Sequence, residues 1–405
     1  MSGQSTALPE HKVVNNMKKI SRFTAVLSAA ILFSSAAFPA MAAGPLEDNA
    51  DNKYDEATEA RLKDNLLEYD EIPLLVHEYN VTLLQTRDDL EKTRQDLLNN
   101  AEELQGYRRK MKTLKDDAKD EGNAQDLVNY ATQEMILEQT AYGIESAGKN
   151  LVSRATARSL QQGEDTITQA AQSLMISYDT LRRQRDTLSK LQELYEKQYQ
   201  LTVNKRNLGL ATDTEVFKAQ TNQLSALGNI QSIDGGLMKM KPSLCTLTGW
   251  PGDGEPEIGE VPTVDLSLIA GMNLEEDTRK AIGNNQTLIA QRNSEEGKTY
   301  DGTTARLAYI EEGDQKMTIE MKRLYDDVSA KKAAYESAMA GYQSEEKSAS
   351  GSDRMYQLGM MSEADYLGSR ITYYQKKAAY ESSDMALRLA IETYGWAVKG
   401  FAELD

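Results

Sequence analysis

The stretch Leu208-Gly209-Leu210-Ala211-Thr212-Asp213-Thr214-Glu215-Val216 decides the fold, and Leu358-Gly359-Met360-Met361-Ser362-Glu363-Ala364-Asp365-Tyr366 repeats its plan in the second half of the chain. Each lies between two long segments of helical polar-apolar periodicity, and each reads as a tight turn from one helix into the next. Gly209 and Gly359 stand where a glycine closes a helix in the left-handed conformation. Thr212 and Ser362 follow as N-cap residues, and a carboxylate stands three positions on, Glu215 and Asp365. Hydroxyl and carboxylate together satisfy free backbone N–H groups of the new helix, the Asp version being the weaker box. Two such turns at matching points predict a duplicated helical hairpin.

Outward from the first turn, Leu174, Tyr178, Leu181, Leu188, Tyr195 and Tyr199 precede it at helical spacing, interrupted by Arg185 and Gln192. After it, Val216, Ala219, Ala226, Ile230, Ile233, Leu237 and Met240 step by threes and fours, with Gln223 filling the gap, as a coiled-coil seam does. Phe217, Leu224 and Leu227 form a second stripe beside that seam, so the helix can pack on neighbours at both sides. Pro73 starts or kinks a helix within 57–119, and Asp120-Glu121-Gly122-Asn123 is a turn into a second helix running to Asn207. Residues 241–274 break the pattern, with Gly249 to Pro256 as loop and Val261 to Leu268 as a short strand or extended connector. A helix restarts near Glu275, breaks around Gly297 to Gly302, runs from Thr304 to Leu358, and is followed by a last helix from Glu363. Leu247-Thr248-Gly249-Trp250 is matched with Thr393-Tyr394-Gly395-Trp396 as the ends of the two halves. Leu66, Ile72 and Leu75 find looser echoes in Ala281, Thr287 and Leu288. The first half is longer by roughly 60 residues, two added arms of about 45 Å each at 1.5 Å per residue.

Composition points the same way. The 405 residues include only 8 Pro and 5 Phe against 27% charged residues, and mean hydropathy is −0.59. That balance suits long exposed helices better than a sandwich or an α/β core. Met17-Lys18-Lys19, the apolar run Phe23 to Phe38 and Ala40-Met41-Ala42 read as an export signal, with Met17 a candidate start. Cleavage after residue 42 removes Lys12, Lys18, Lys19, Arg22 and Glu10. It leaves 42 basic against 62 acidic residues, a net charge of −20. This argues against nucleic acid and against anionic lipid as partners. Cys245 is the lone cysteine, so an internal disulfide is excluded. After the signal there is no apolar run of about 18 residues, the length a membrane-spanning helix needs.

The predicted organisation is therefore a signal over 1–42, an acidic lead-in over 43–56, a first helical hairpin repeat over 57–240, a connector over 241–274 and a second repeat over 275–405. The fold class is all-α: two tandem long helical hairpins, a coiled-coil α-barrel protomer with a small irregular mid-chain element.

With these features the chain resembles the TolC-like outer-membrane efflux protein family. The resemblance rests on four things: the paired hairpins, the two turns of form G-[hydrophobic]-x-[ST]-x-x-[DE]-[hydrophobic], the glutamine-containing helix after the first (Ala219-Gln220, Gln223-Leu224), and the Gly-Trp ends. It covers most of residues 57–400. It implies a homotrimer closing a twelve-helix barrel, a conduit with no cofactor and no chemistry of its own. It also implies docking on a periplasmic membrane-fusion adaptor that serves an inner-membrane pump of the ABC, RND or major-facilitator class. Localisation would be the cell envelope. One departure is large. The family inserts a β-hairpin in each half, whose strands need about 9–11 alternating residues to span a bilayer. The corresponding stretches, Lys110 to Asp126 and Asn293 to Gln315, are charged, short and without alternation. The expectation is a barrel-less relative that does not span lipid.

The residues expected to carry docking are Gly209, Leu210, Thr212, Asp213 and Val216 at the first tip and Gly359, Met360, Ser362, Glu363 and Leu367 at the second. Leu210 and Met360 are apolar side chains on a turn with nothing local to bury them. The plain alternative is that both turns serve only as caps. Acidic residues read first as solvated helix faces. Tyr195, Tyr199, Tyr373, Tyr374 and Tyr380 read first as interhelix packing with wet hydroxyls. The run Asp253 to Glu257 lacks the ligand spacing of an EF-hand and reads as loop, and Cys245 reads as a buried small apolar residue. With His77 the one histidine after the signal, there is no zinc cluster, serine triad or phosphate loop, and enzymatic activity is not expected. Two other classes compete with the conduit. An extracellular coiled-coil or cell-wall protein would have no need of special tips. A helical pore-forming toxin would need an apolar hairpin that the sequence lacks.

Overall fold

The computed structural model describes residues 54–250, 255–293, 300–402 and 404. The export signal, nearly all of the acidic lead-in, Pro251 to Gly254 of the expected loop and acidic run, and Gly297 lie outside these residues. The described chain is all-α and built on long helical hairpins, as the duplicated turns predict.

The first half opens with α1 (Glu56–Lys63), a two-residue strand β1 (Leu66–Leu67) and α2 (Ile72–Tyr79), with Pro73 in the first turn of α2. There its missing N–H costs nothing. Then come α3 (Val81–Asp120), α4 (Ala124–Asn150), α5 (Arg154–Asn207) and α6 (Asp213–Thr248). Two expected boundaries move. The helix from Ala124 does not run unbroken to Asn207: it stops at Asn150, and Ser153 caps a new one by accepting from the Thr156 N–H. And α6 continues past Met240 with Pro242 inside it, burying Leu244, Cys245 and Thr248. Burial of that last turn outweighs the proline's cost. The connector holds β2 (Glu257–Ile258), which pairs in parallel with β1, a short α7 (Leu266–Ala270) and no strand over 261–268. The second half has α8 (Leu274–Asn284), α9 (Gln286–Asn293), α10 (Tyr300–Gln357) and α11 (Glu363–Trp396), ending in a π-turn, Ala397–Phe401.

The extra length of the first half is the α3/α4 hairpin. It turns at Gly122, which takes φ +71°, and Asn123 caps α4. Leu97, Ala101, Leu104, Arg108, Met111, Lys115 and Ala118 of α3 step by fours and threes. They meet Leu127, Tyr130, Glu134, Leu137, Ala141, Ile144 and Gly148 of α4, which step likewise, a seam of the coiled-coil type. Lys115 pairs with Glu134, and Arg108 with Glu138 at 3.1 Å. The stretch 110–126 is thus helix-turn-helix, and 300–315 is the start of α10.

The other four long helices form a single layer in the order α6, α5, α11, α10. The deepest positions on α5 are Thr168, Ala171, Met175, Ile176, Asp179, Thr187 and Leu191. The stripe read from the sequence, Leu174 to Tyr199, is half-buried beside them. On α6 the predicted seam is the covered side, with Ala219 and Ala226 buried. One apolar core gathers Leu67, Ile72, Val76, Met175, Leu244 and Val261. A second gathers Ala281, Leu288, Met317, Met321, Leu387 and Tyr394.

Both halves share a joint that the sequence reading misaligned. Asn80 links α2 to α3: its side chain accepts from the Leu83 N–H and donates to the Leu247 carbonyl. Asn285 links α8 to α9 in the same way, accepting from Leu288 N–H and donating to the carbonyls of Gly400 and Ala402. Seven residues on, Arg87 donates to the His77 carbonyl and Arg292 to that of Ile282. Each joint closes on a left-handed glycine. A Cβ on Gly249 (φ +82°) would lie 2.1 Å from the Tyr79 oxygen, and one on Gly400 (φ +101°) 2.6 Å from that of Asn284. Gly400-Phe401, not Gly395-Trp396, is therefore the counterpart of Gly249-Trp250, and Gly395 has no positive φ. Likewise Val76 and Leu83 answer Ala281 and Leu288. The match of Leu66, Ile72 and Leu75 with Ala281, Thr287 and Leu288 does not hold.

Candidate functional site

The two hairpin tips are built as predicted, and the structure sets them side by side. At the first, α5 ends with the Gly209 N–H donating to the Arg206 carbonyl (2.9 Å) and the Leu210 N–H to that of Lys205 (2.8 Å). These are the two bonds of a Schellman closure, with Gly209 at φ +71°. Thr212 then starts α6. Its Oγ1 accepts from the Glu215 N–H at 3.3 Å, and its own N–H donates to Glu215 Oε2 at 2.7 Å. That backbone N–H, with the Thr212 hydroxyl, holds the exposed Glu215 carboxyl below its ordinary range. Arg206 and Asp213 close the turn with an ion pair of 2.8 Å.

The second tip repeats the plan with one bond fewer. Gly359 donates to Tyr356 (2.9 Å) and Met360 to Met355 (2.8 Å), and Gly359 has φ +70°. Ser362 Oγ accepts from the Asp365 N–H (3.2 Å) and donates to Asp365 Oδ2 (2.6 Å). The shorter carboxylate thus engages the hydroxyl instead of completing a full box. The Tyr356 and Tyr366 rings stack at 4.2 Å across the turn, a clamp the first tip does not have.

Three hydrogen bonds fix α5 against α11. Thr187 donates to Glu381 (2.9 Å), Gln375 donates to the Tyr195 hydroxyl (3.3 Å), and the Trp396 indole N–H donates to Gln172 (3.1 Å); near the tips, Glu363 faces Glu193, Glu196, Lys197, Gln200 and Asn204 across a groove. As α5 descends towards its tip, α11 rises from its own, and the register places Gly209 level with Gly359. Four large apolar side chains stand on these level turns: Leu208, Leu210, Leu358 and Met360, each at least 73% exposed.

Of the predicted docking residues, Gly209, Leu210, Thr212, Asp213, Gly359, Met360, Ser362 and Glu363 are exposed at the tips. Val216 is half-buried. Leu367 is a correction: it is 3% exposed and faces inward one turn into α11, so it is not presented to a partner. Sequence reasoning passed over Leu208, Leu358 and Phe217. The first two directly precede the left-handed glycine, the position from which a side chain leaves the hairpin, and that was a readable signal.

Of the expected tyrosines, Tyr373 and Tyr380 pack between α11 and α10, while Tyr195 and Tyr199 lie on α5. Tyr342 stacks on Tyr380 at 5.4 Å, Tyr335 lies 5.6 Å from Tyr380, and the hydroxyls of Tyr342 and Tyr373 are 3.4 Å apart. Burial, with the neighbouring Tyr380 hydroxyl, pushes Tyr335 up to about 12. A buried ionic knot ties α5 to the connector. Asp179, fully buried, accepts from Arg182 and Arg183 and from the Val261 N–H, and the two arginines donate to the carbonyls of Ile258 and Val261. Asp384 packs into the same region, 3% exposed. Its burial raises the carboxyl pKa despite Arg183 and Arg388 nearby. Cys245 is buried in the last turns of α6, which pushes its thiol up. Among the described residues no group of His, Cys, Asp and Glu is arranged to hold a metal ion, and no helix is long and apolar enough to cross a membrane.

Comparison with known proteins finds no matching family model and no matching curated protein. Among solved structures, the outer membrane protein VceC from Vibrio cholerae is similar at 15% identity, over 65% of this chain and 76% of that one, with a TM-score of 0.38. The outer-membrane channel OprN is similar at 11% identity, over 91% and 99%, with a TM-score of 0.45. The Campylobacter jejuni CmeC outer membrane channel is similar at 12% identity, over 66% and 69%, with a TM-score of 0.37. Likenesses this slight carry no argument about function, which rests instead on the geometry of the chain.

Proposed function

We propose that the chain is an exported stave of an oligomeric α-helical conduit in the cell envelope, docked through its two tips onto the helical hairpin of a membrane-fusion adaptor. The observation that carries this reading is the pair of level tips, rigidly closed by their own hydrogen bonds, with four large apolar side chains turned to solvent. A hairpin needs the glycine and the cap; it does not need exposed leucines there. Apolar side chains on an ordered turn fit a partner's surface.

The layer supports the oligomer. Its outer helices, α6 and α10, are edges. The outer stripe of α6, Phe217, Leu224, Leu227 and Met238, is exposed at 44–75%. A copy placed on each side would cover those edges and close a barrel, three copies supplying twelve helices. The barrel would pass substrates delivered by an ABC, RND or major-facilitator pump in the inner membrane, with no cofactor and no catalytic role for the chain.

The test is capture of a cognate adaptor by the chain carrying Leu210→Asp and Met360→Asp. Both positions are exposed, so helix content and melting should be unchanged while capture is lost. Adaptor capture that survives both changes refutes the tip assignment. Electron microscopy of the purified chain should show a hollow trimer; a solid rod would favour an extracellular coiled-coil structural role instead.

A further inference from the structure

The α3/α4 hairpin carries a second stripe at coiled-coil spacing that no described residue covers. The seam facing α3 runs through Leu127, Tyr130, Leu137, Ala141 and Ile144. On the opposite side of α4, Val128, Thr132, Met135, Gln139 and Tyr142 step by four, three, four and three. All five are exposed, Val128 at 61%, Met135 at 54% and Tyr142 at 73%, with Ile136 beside them at 49%. A four-three spacing over these two heptads lets another helix pack along this face.

Charge narrows the choice of that neighbour. Between Leu127 and Ile144 the charged residues of α4 are Glu134 and Glu138, and both are drawn to α3 by Lys115 and Arg108. The outward face from Val128 to Gly143 therefore presents no unpaired charge, on a chain whose net charge is −17. A second copy of so acidic a chain is repelled along most approaches, and a face free of charge removes that cost. The seam also reads alike in both directions from Met135, with an apolar side chain seven residues away on each side and a neutral polar one within four. That pattern suits a two-fold contact, in which one patch meets itself.

We propose that α4 is a self-pairing face: the outward seam meets the same seam of a second copy, antiparallel, with Met135 on the two-fold axis and Val128 against Tyr142 of the partner copy. The seam from Val128 to Tyr142 is about 21 Å long. One helix face of that length buries less than the ~1,200 Å² of a standing interface, so the pairing depends on concentration. It does not rest on the trimer: a stave that fails to close a barrel still carries this seam.

The experiment is disulfide cross-linking of the full chain with Cys245→Ala and Met135→Cys. Mild oxidation should give a dimer band on a denaturing gel, strengthening with protein concentration. Glu102→Cys, at an exposed position on α3, should give none, and Val128→Glu added to Met135→Cys should remove the band. Absence of the band with helix content intact overturns the proposal, as does an equal band from Glu102→Cys or one indifferent to Val128→Glu. Sedimentation of the unaltered chain gives a second reading. Particle mass should rise with concentration and fall with Met135→Glu; a mass that Met135→Glu leaves unchanged refutes the pairing. Flotation with phosphatidylcholine vesicles that Met135→Glu abolishes, without cross-linking, would make α4 a lipid face and also overturn it.

Discussion

Replacing Asn80 by alanine should destabilise the first half of the molecule by about 2–4 kcal/mol. Asn80 is 4% exposed. The change removes the acceptor that caps α3 at the Leu83 N–H (3.0 Å) and the donor to the Leu247 carbonyl (2.9 Å). Loss of a cap costs about 1 kcal/mol. A buried carbonyl left without its partner costs a further ~1–3 kcal/mol. Asn285→Ala removes the same set in the second half, the cap at Leu288 and the bonds to Gly400 and Ala402, and should cost about as much. The two joints share no partner, so the double variant should lose the sum of the single losses to within ~0.5 kcal/mol. Urea unfolding followed by circular dichroism gives the losses, and hydrogen exchange at the Leu83 amide gives the local effect. A loss below about 0.5 kcal/mol at either site, or unchanged protection of Leu83, would refute the view that these asparagines hold the repeats' joints.

Glycine substitutions should separate the tips from the joints. Gly209→Ala meets nothing within 4 Å and should cost only the left-handed backbone penalty, about 1–2 kcal/mol. Gly249→Ala, which drives a Cβ into the Tyr79 carbonyl, should cost clearly more in the same urea assay. Asp384→Asn should stabilise the fold at neutral pH. Burial raises the Asp384 carboxyl above its ordinary value, so the folded state holds that proton more tightly. The group's contribution is then complete below the unfolded pKa near 4 and is lost as pH rises through the folded value. The gain from Asp384→Asn over the unaltered chain should therefore shrink as the pH is lowered towards 4, and a gain that grows with acidification would refute the sign.

The tips were legible because their chemistry is local. A left-handed glycine, a hydroxyl three residues later and a carboxylate three beyond that act within one turn of backbone, and no distant contact can replace them. The ends of the repeats were not legible, because what fixes them is distant. Trp250 and Trp396 share a Gly-Trp pair in sequence, yet only Gly249 lies against a joint, at the Tyr79 carbonyl. The residue that does the same in the second half is Gly400, against Asn284. Nothing near Gly395 or Gly400 in the chain distinguishes them; the difference is which one reaches the turn around Asn285. Asp179 was hidden for a related reason. In a polar-apolar reading an aspartate within an α5 stripe counts as a gap, whereas three donors from Arg182, Arg183 and the Val261 N–H make it one of the most deeply buried side chains.

The joint also accounts for the unequal length of the halves. Asn80 and Asn285 each hand one helix on to the next, and from there both halves must reach tips that lie level. The second half covers that interval with α9 and the single long α10, while in the first α3 runs on past the counterpart of α9 and returns through α4 before α5 begins. The insert leaves the level of the tips untouched because α4 returns to Leu97 and Leu98, against which Gly148 packs closely: a Cβ there would lie 3.3 Å from the Leu97 Cβ. The return point is thus set by close approach and not by the length of the arm. A hairpin fastened in this way can lengthen or shorten by whole heptads without displacing α5. Deleting one heptad from each arm, residues 108–114 and 131–137, keeps both the α3/α4 seam and the Gly148 contact in phase. The shortened chain should retain its tips, its helix content and adaptor capture. Because the deletion removes Thr132 and Met135, it should also lose concentration-dependent pairing. Loss of adaptor capture on that deletion, with the chain still folded, would show that the arm and the tips are coupled and would refute the independence argued from Gly148.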